Sequence, residues 1–413
     1  MALLNKLRKG AGITRPYLDS QKSKHVLIVA GEASADQHGS NLVRAIKKIA
    51  PEIDFRGIGG TKMADSGVNT LISSSDMAVV GLTEVLSKFN YIVGAYLRLK
   101  NILNNTHPDL LILIDYPDFN LRLARVAKKN KIPVLYYISP QIWAWRSRRI
   151  KKIARRVDRI AVIFPFEKKF YKERGVEVDF VGHPLLDAAP PELKESPVIN
   201  GKGFKKDYPV LGLLPGSRGD EVRNLLPLMI ESVEILSARY NGLKCILPLA
   251  STVSRELVQS IINNSSAYIE ISRSDIYKTL ARCDMALIAS GTATLEAAIM
   301  GIPMIIVYKV STISHMIGKM VIKVPHIGLV NLVAGKEVVP ELIQDEVTPA
   351  GIVREVIAIL DSDRKREGMI KELKVVRERL GGEGASMRTA EIAVKMMGNS
   401  RRRLSENSNF FQN

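Results

Sequence analysis

The sequence predicts an α/β protein of two domains, each built on a parallel sheet with helices around it. Three observations carry this reading. Short, unbroken apolar runs recur along the chain, helix-like segments separate them, and one stretch rich in Pro, Gly, Lys and Glu interrupts the alternation near the middle. Apolar runs that do not alternate with polar residues are strands buried on both faces, and strands joined by crossover helices form parallel sheets. A length of 413 residues is also too great for one ordinary core.

In chain order, residues 1–24 read as a loosely ordered basic arm. The first domain spans 25–187, with strands expected at Val26–Ala30, Leu110–Ile114, Val134–Ile138 and Ile160–Phe164. The linker, 188–208, falls within "DAAPPELKESPVINGKGFKKDYP". The second domain spans 209–380, with strands at Val210–Leu214, Cys245–Leu249, Met285–Ala289 and Met304–Val307. Residues 381–397 form a last helix, and the tail 398–413 has the composition of a disordered segment.

Composition narrows the function. A content of 46% hydrophobic and 25% charged residues is that of a globular protein. The net charge of +18 suits phosphorylated substrates, anionic lipid or nucleic acid. Its clusters, at the two ends and in "WRSRRIKKIARR" from Trp145 to Arg156, come without aromatic-rich RNA-binding motifs or zinc-finger spacing, which disfavours nucleic acid. Cys245 and Cys283 lie far apart and form no metal or disulfide framework, which fits a reducing, cytoplasmic setting. The N-terminus lacks an apolar core of signal-peptide length. The most lipophilic stretch, "MAVVGLTEVLSKFNYIVGAYLRL" from Met77, contains Glu84, Lys88 and Arg98, so it can lie on a membrane but should not span one.

Ligands in open α/β sheets bind beyond the carboxyl ends of the strands, and several polar clusters fall there. After Val26–Ala30, Gly31 permits a tight turn, Ser34 or Asp36 can cap the next helix, and Glu32 with the turn amides can contact a sugar. "GIGGTK" at Gly57 lacks the third glycine of a dinucleotide fingerprint, and no Walker motif is present. After Leu110–Ile114 come Asp115, Tyr116, Pro117 and Asp118. Asp118 reads as a helix N-cap, whereas Asp115 stands at the strand tip, where a carboxylate can take a proton from a substrate hydroxyl. In the second domain Gly216, Ser217 and Arg218 lie between a strand and a helix. Backbone amides and a guanidinium there attract phosphate, although an ordinary turn with a surface arginine has the same residues. Ser290, Gly291 and Thr292 make a second small-residue turn, with Glu296 in the following helix. Two such turns in one domain suggest a nucleoside diphosphate. His183 and His326 belong to no metal-like set and read as structural, and "QIWAWRSRR" is either an exposed loop or a packed turn.

Taken together, "GEASAD", "GIGGTKM", "VVGLTEVL", "DYPDFN", "YYISPQIWAWR", "FPFEKKFY", "VGHPL", "LLPGSRGDE", "ASGTATLE" and "NLVAGKE" resemble, in order, the motifs of the lipid-A-disaccharide synthase family of glycosyltransferases. The resemblance runs from about Lys24 to about Met397. It implies a GT-B fold, two Rossmann-like domains facing across a cleft, with the C-terminal helix returning to the first. It also implies an inverting glycosyl transfer that needs no metal or cofactor. UDP-2,3-diacylglucosamine would be the donor and 2,3-diacylglucosamine 1-phosphate the acceptor, giving a β(1→6) disaccharide 1-phosphate and UDP. Asp115 then matches the general base. Gly216, Ser217, Arg218, Glu221, Ser290, Gly291, Thr292, Glu296 and Asn331 would hold the donor, and Glu32, Ser34, Asp118 and Asn120 would shape the acceptor side. Acylated substrates imply docking, by Val79, Val80, Leu82, Val85 and Leu86, on the anionic inner face of the cytoplasmic membrane. The resemblance is compatible with a homo-oligomer. The family usually has glycine where this chain has Ala35; a position needing positive φ would cost alanine about 1 kcal/mol. Two rivals remain at this point, a UDP-N-acetylglucosamine 2-epimerase of the same fold and a catalytically silent nucleotide or membrane binder.

Overall fold

The structure is a computed structural model that describes residues 24–77, 82–145, 149–190, 208–310 and 324–409. Its first sheet has seven strands: β1 (His25–Ala30), β2 (Asp54–Gly59), β3 (Val68–Ser73), β4 (Leu110–Ile114), β5 (Val134–Tyr137), β6 (Arg159–Val162) and β7 (Asp179–Phe180). Their order is β3-β2-β1-β4-β5-β6-β7. The second sheet has β8 (Val210–Leu214), β9 (Lys244–Pro248), β10 (Ile269–Ser272), β11 (Met285–Ala289), β12 (Met304–Tyr308) and β13 (Glu341–Ile343), ordered β10-β9-β8-β11-β12-β13. The pairs around both central strands are parallel. This is the expected α/β architecture.

Every apolar run read as a strand is one, with small shifts at the ends. β5 stops at Tyr137 because Ile138 turns left-handed, at φ 58°. β6 stops at Val162 because Phe164 is already the N-cap of the helix Pro165–Lys172. The central strands are dry: all five side chains of β4 are fully buried. At about 2 kcal/mol for each buried aliphatic side chain, that strand alone contributes on the order of 10 kcal/mol as an upper bound.

One device recurs at the amino ends of the strands. The aspartate before a strand accepts the first N–H of its neighbour: Asp109 from His25 at 2.9 Å, Asp158 from Val134 at 3.0 Å and Asp284 from Val210 at 2.8 Å. These amides lie at the sheet margin, where no ladder partner is available.

The chain divides into two compact units. One holds the described residues up to Tyr136, with 156–158 and those from Ala390 onward; the other holds 137–155 and 159–389. The division therefore falls at Tyr136/Tyr137, while most of the linker expected at 188–208 lies outside the described residues. Among the described residues no helix is long and apolar enough to cross a membrane.

Candidate active site

In both sheets the strand order reverses beside the first strand, between β1 and β4 and again between β8 and β11. Such switch points open a crevice at the carboxyl ends of the strands. Both predicted clusters fall there.

At the first, Ala30 is in register with Ile114, so Gly31 and Asp115 leave the sheet side by side. Asp115 and Tyr116 are both left-handed, at φ 45° and 48°. Pro117 then opens the helix Pro117–Lys129, where its ring suits the first turn. Asp118 is not the N-cap expected of it. Tyr116 holds that place, without a side-chain bond, and Asp118 sits exposed in the first turn, where a negative charge suits the helix dipole. Asn120 is fully buried and donates through Nδ2 to the carbonyls of Asp115 at 2.6 Å and Ile114 at 3.2 Å. Gly31 has no room for a side chain: a Cβ there would come within 2.8 Å of the Tyr116 ring. Burial pushes the Asp115 carboxyl up to about 6, the negative charge of Glu32 adds to the rise, and the Tyr116 amide opposes it. A carboxyl so placed is a base poised near neutral pH.

The "GEASAD" turn differs from expectation. Glu32 is the N-cap of the helix Ala33–Ile49, with no side-chain bond to it, and Ser34 is exposed in its first turn. Asp36 serves a different helix, Thr61–Asp65, by accepting the amides of Gly60 at 2.6 Å, Met63 at 3.1 Å and Lys62 at 3.2 Å. Ala35 lies buried in regular helix and is not among the residues of positive φ, so the cost foreseen for replacing glycine does not arise.

At the second switch point, Leu214 is in register with Ile288, which sets the turns after β8 and β11 beside each other. Gly216 adopts φ 115°, and a Cβ there would meet Glu221 Oε2 at 2.3 Å. The Glu221 carboxylate accepts the Ser217 amide at 3.1 Å and pairs with Arg218 at 3.2 Å. Arg218 is the N-cap of the long helix Gly219–Arg239 and keeps its guanidinium largely exposed. The Thr252 hydroxyl donates to the Ser217 carbonyl at 2.5 Å. After β11, the Ser290 hydroxyl donates to Ile327 O at 3.1 Å, while Gly291 faces open space. Thr292 is the exposed N-cap of the helix Ala293–Ile299, which carries Glu296. Burial first, then the charge of Asp275, raises the Glu296 carboxyl to about 7.

Asn331 is linked to the Ser290 turn through Glu341 and Ile327. It is fully buried, donating to Val339 O at 2.8 Å and Glu341 Oε1 at 2.7 Å and accepting from the amides of Val338 at 2.8 Å and Val339 at 3.1 Å. All of its hydrogen-bonding capacity is spent on the chain itself. Val79 and Val80 lie outside the described residues; Leu82, Val85 and Leu86 fall on the helix Leu82–Asn105, but their side chains are not described. Among the described residues no group of three His, Cys, Asp or Glu could hold a metal ion.

Several polar residues in and around these turns escaped the sequence reading. Tyr136 donates its hydroxyl to the Asp115 carbonyl at 2.6 Å. Glu341 accepts the amides of Ile327 at 2.9 Å and Gly328 at 3.0 Å. Glu167, buried and raised to about 7 chiefly by that burial, accepts the Ser139 hydroxyl and the amides of Ile163 and Phe164 at 3.0–3.1 Å. It ties "SPQIW" to "FPFE", and Trp143 packs edge-on against Phe166 at 4.9 Å, so that part of the tryptophan-rich segment is a packed turn. The readable signal was Pro165 at the first helical position with Glu167 in the first turn. His183 accepts the Leu185 amide and packs on Phe164, as a structural histidine does.

Residues 26–395 match the family described as lipid-A-disaccharide synthetase. The chain belongs to that family. The lipid-A-disaccharide synthase of Geobacter metallireducens is 48% identical over 92% of this chain and 99% of its own length. Among solved structures, a UDP-GlcNAc 2-epimerase from Neisseria meningitidis superposes with TM-score 0.59 at 13% identity, over 90% of this chain and 99% of the other. The glycotransferase of kitacinnamycin superposes with TM-score 0.61 at 13% identity, over 91% of this chain and all of the other. At such identities the superpositions speak for the fold alone, and that fold is GT-B. The place of the chain in lipid A biosynthesis, as a glycosyltransferase, follows from the family.

Proposed function

We propose that this family member transfers the 2,3-diacylglucosaminyl group of UDP-2,3-diacylglucosamine to the 6-hydroxyl of 2,3-diacylglucosamine 1-phosphate, with inversion. The observation that carries the proposal is the Asp115 carboxyl, held at a switch point beside Glu32 and raised to about 6. The acceptor hydroxyl oxygen attacks the anomeric carbon, its proton passes to Asp115, and the bond to UDP breaks with the electron pair leaving on the diphosphate. Two features of the second unit suit a diphosphate: the largely exposed Arg218 guanidinium and the open turn at Gly291, with the Ser217 amide already bonded to Glu221. Glu296 holds the ribose. Asn331 acts behind this set, by fixing the segment through Glu341.

Acylated substrates also put the protein on a bilayer, at the inner face of the cytoplasmic membrane. In support, the helix Leu82–Asn105 exposes Tyr91, Val93 and Leu97. Binding to anionic rather than zwitterionic vesicles, lost at high salt, tests the location.

The test of the reaction is turnover in detergent micelles, with UDP and lipid products followed by mass spectrometry. Acceptor-dependent UDP release with a disaccharide 1-phosphate is the expected result. UDP binding by folded protein without any disaccharide, across several acyl lengths, would overturn it.

A further inference from the structure

We infer that Tyr136 is a positioning residue for this reaction: from β5 its hydroxyl pins the peptide carbonyl of Asp115 and so holds the turn that presents the Asp115 carboxyl. The inference rests on the proposed role of Asp115 as the base. Two consecutive non-glycine residues in the left-handed region, Asp115 and Tyr116, persist only where their surroundings over-determine the backbone. Here the determination converges on one atom. The Asp115 carbonyl oxygen accepts from Tyr136 Oη and from Asn120 Nδ2, each at 2.6 Å, and both donors are fully buried.

The arrangement has a visible cost. Asn120 turns its amide nitrogen to the backbone and leaves Oδ1 buried with no partner among the described residues. The rest of the turn is clamped from other elements. Gly31 makes room for the Tyr116 ring, and the Tyr116 hydroxyl donates to Met77 O at 3.1 Å. With the carbonyl released, Asp115 is free to leave the left-handed region, and its carboxyl to swing away from Glu32 toward water. A base works only within hydrogen-bond reach of the proton it takes, and a misplacement of about 1 Å costs on the order of a hundredfold.

Tyr136→Phe removes one oxygen and keeps the ring. With active sites counted by UDP titration, the expected result is a kcat lower by about tenfold to a hundredfold, with KM for both substrates little changed. The acid limb of the pH–kcat profile should also move below its parental position, since the carboxyl has left its buried place near the Glu32 charge, where the Tyr116 amide alone opposes the rise. A lower melting temperature with kcat per site and the acid limb unmoved would show a merely structural tyrosine and overturn the inference. Should Tyr136→Phe not accumulate as folded protein, Asn120→Ala deletes the other donor to the same oxygen and must give the same signature. Asp115→Asn, assayed beside them, separates the two claims. If it still turns over, the base itself is misassigned; if it is dead while Tyr136→Phe is unchanged, only the positioning role fails.

Discussion

Asn331→Ala separates a ligand-lining asparagine from one that builds the fold. The side chain has no exposed surface and makes four hydrogen bonds, two with backbone amides, one with a backbone carbonyl and one with the Glu341 carboxylate. Truncation leaves those four partners in a dry site. At roughly 1 kcal/mol for each, the loss is about 4 kcal/mol, and water entering the vacated space lowers it toward about 2 kcal/mol. Urea unfolding followed by circular dichroism reads the stability, and calorimetric titration with UDP, under conditions where both proteins are folded, reads the site. The midpoint should fall clearly while UDP affinity stays within about threefold, less than 1 kcal/mol. Asn331→Asp should be at least as damaging, because it sets a second carboxyl against Glu341, whose side chain is only 7% exposed. Unchanged unfolding together with a tenfold loss of UDP affinity would refute this reasoning and return Asn331 to the donor site.

Asp115→Asn should abolish turnover and leave UDP binding intact, and in the parent enzyme activity should fall as pH drops through about 6, where the base takes up its proton. The same shift has a stability consequence of defined sign. The folded-state pKa is raised, so the ionised carboxyl destabilises the fold, fully above about pH 6 and not at all below about pH 4. Asp115→Asn should therefore melt later than the parent at pH 8, by an equivalent of about 1–3 kcal/mol, and together with it at pH 3.5; equal melting at pH 8 contradicts the burial argument. Gly216→Ala forces a side chain onto Glu221 at a φ of 115°, and is expected to weaken UDP binding at least tenfold by calorimetry with the rest of the fold intact. Glu167→Ala strands the Ser139 hydroxyl and two buried amides, and should lower stability by about 2–4 kcal/mol in urea unfolding.

The central strands were legible because they are continuous apolar runs, and β4, β8, β11 and β12 need no partner to be recognised. β2, β3, β7, β10 and β13 were not read as strands. They are short or carry polar residues on a wetter face, as with Arg56 in β2 and Glu270 in β10, and only pairing with a neighbour makes them strands. At the site the same distinction holds. Asp115 could be read as a carboxylate with no local excuse at the end of a buried strand. The clamp on its carbonyl could not, because Tyr136 comes 21 residues later and its hydroxyl has no reason in its own strand to point there. Asp36, read as a cap for its own helix, and Asn331, read as a donor ligand, show the converse. Each sits in a turn or helix start and bonds groups of the chain that local sequence does not name: amides 24–27 residues away for Asp36, and amides, a carbonyl and the Glu341 carboxylate for Asn331.

The strand order has a consequence for the chain as it is made. β1 and β8 are each the first strand of their sheet and each end up inside it. The neighbour that closes the second edge arrives late: the bond from His25 to Asp109 spans 84 residues and that from Val210 to Asp284 spans 74. At about 5–20 residues per second, an apolar strand edge stays open on the nascent chain for roughly 4–17 s in each sheet. Long-range parallel pairing is slow to form, so those seconds are when edge-to-edge association threatens. The two intervals do not overlap, because β4 is complete by Ile114 and β8 begins only at Val210. The first strands of the two sheets thus never wait for their second neighbours at the same time.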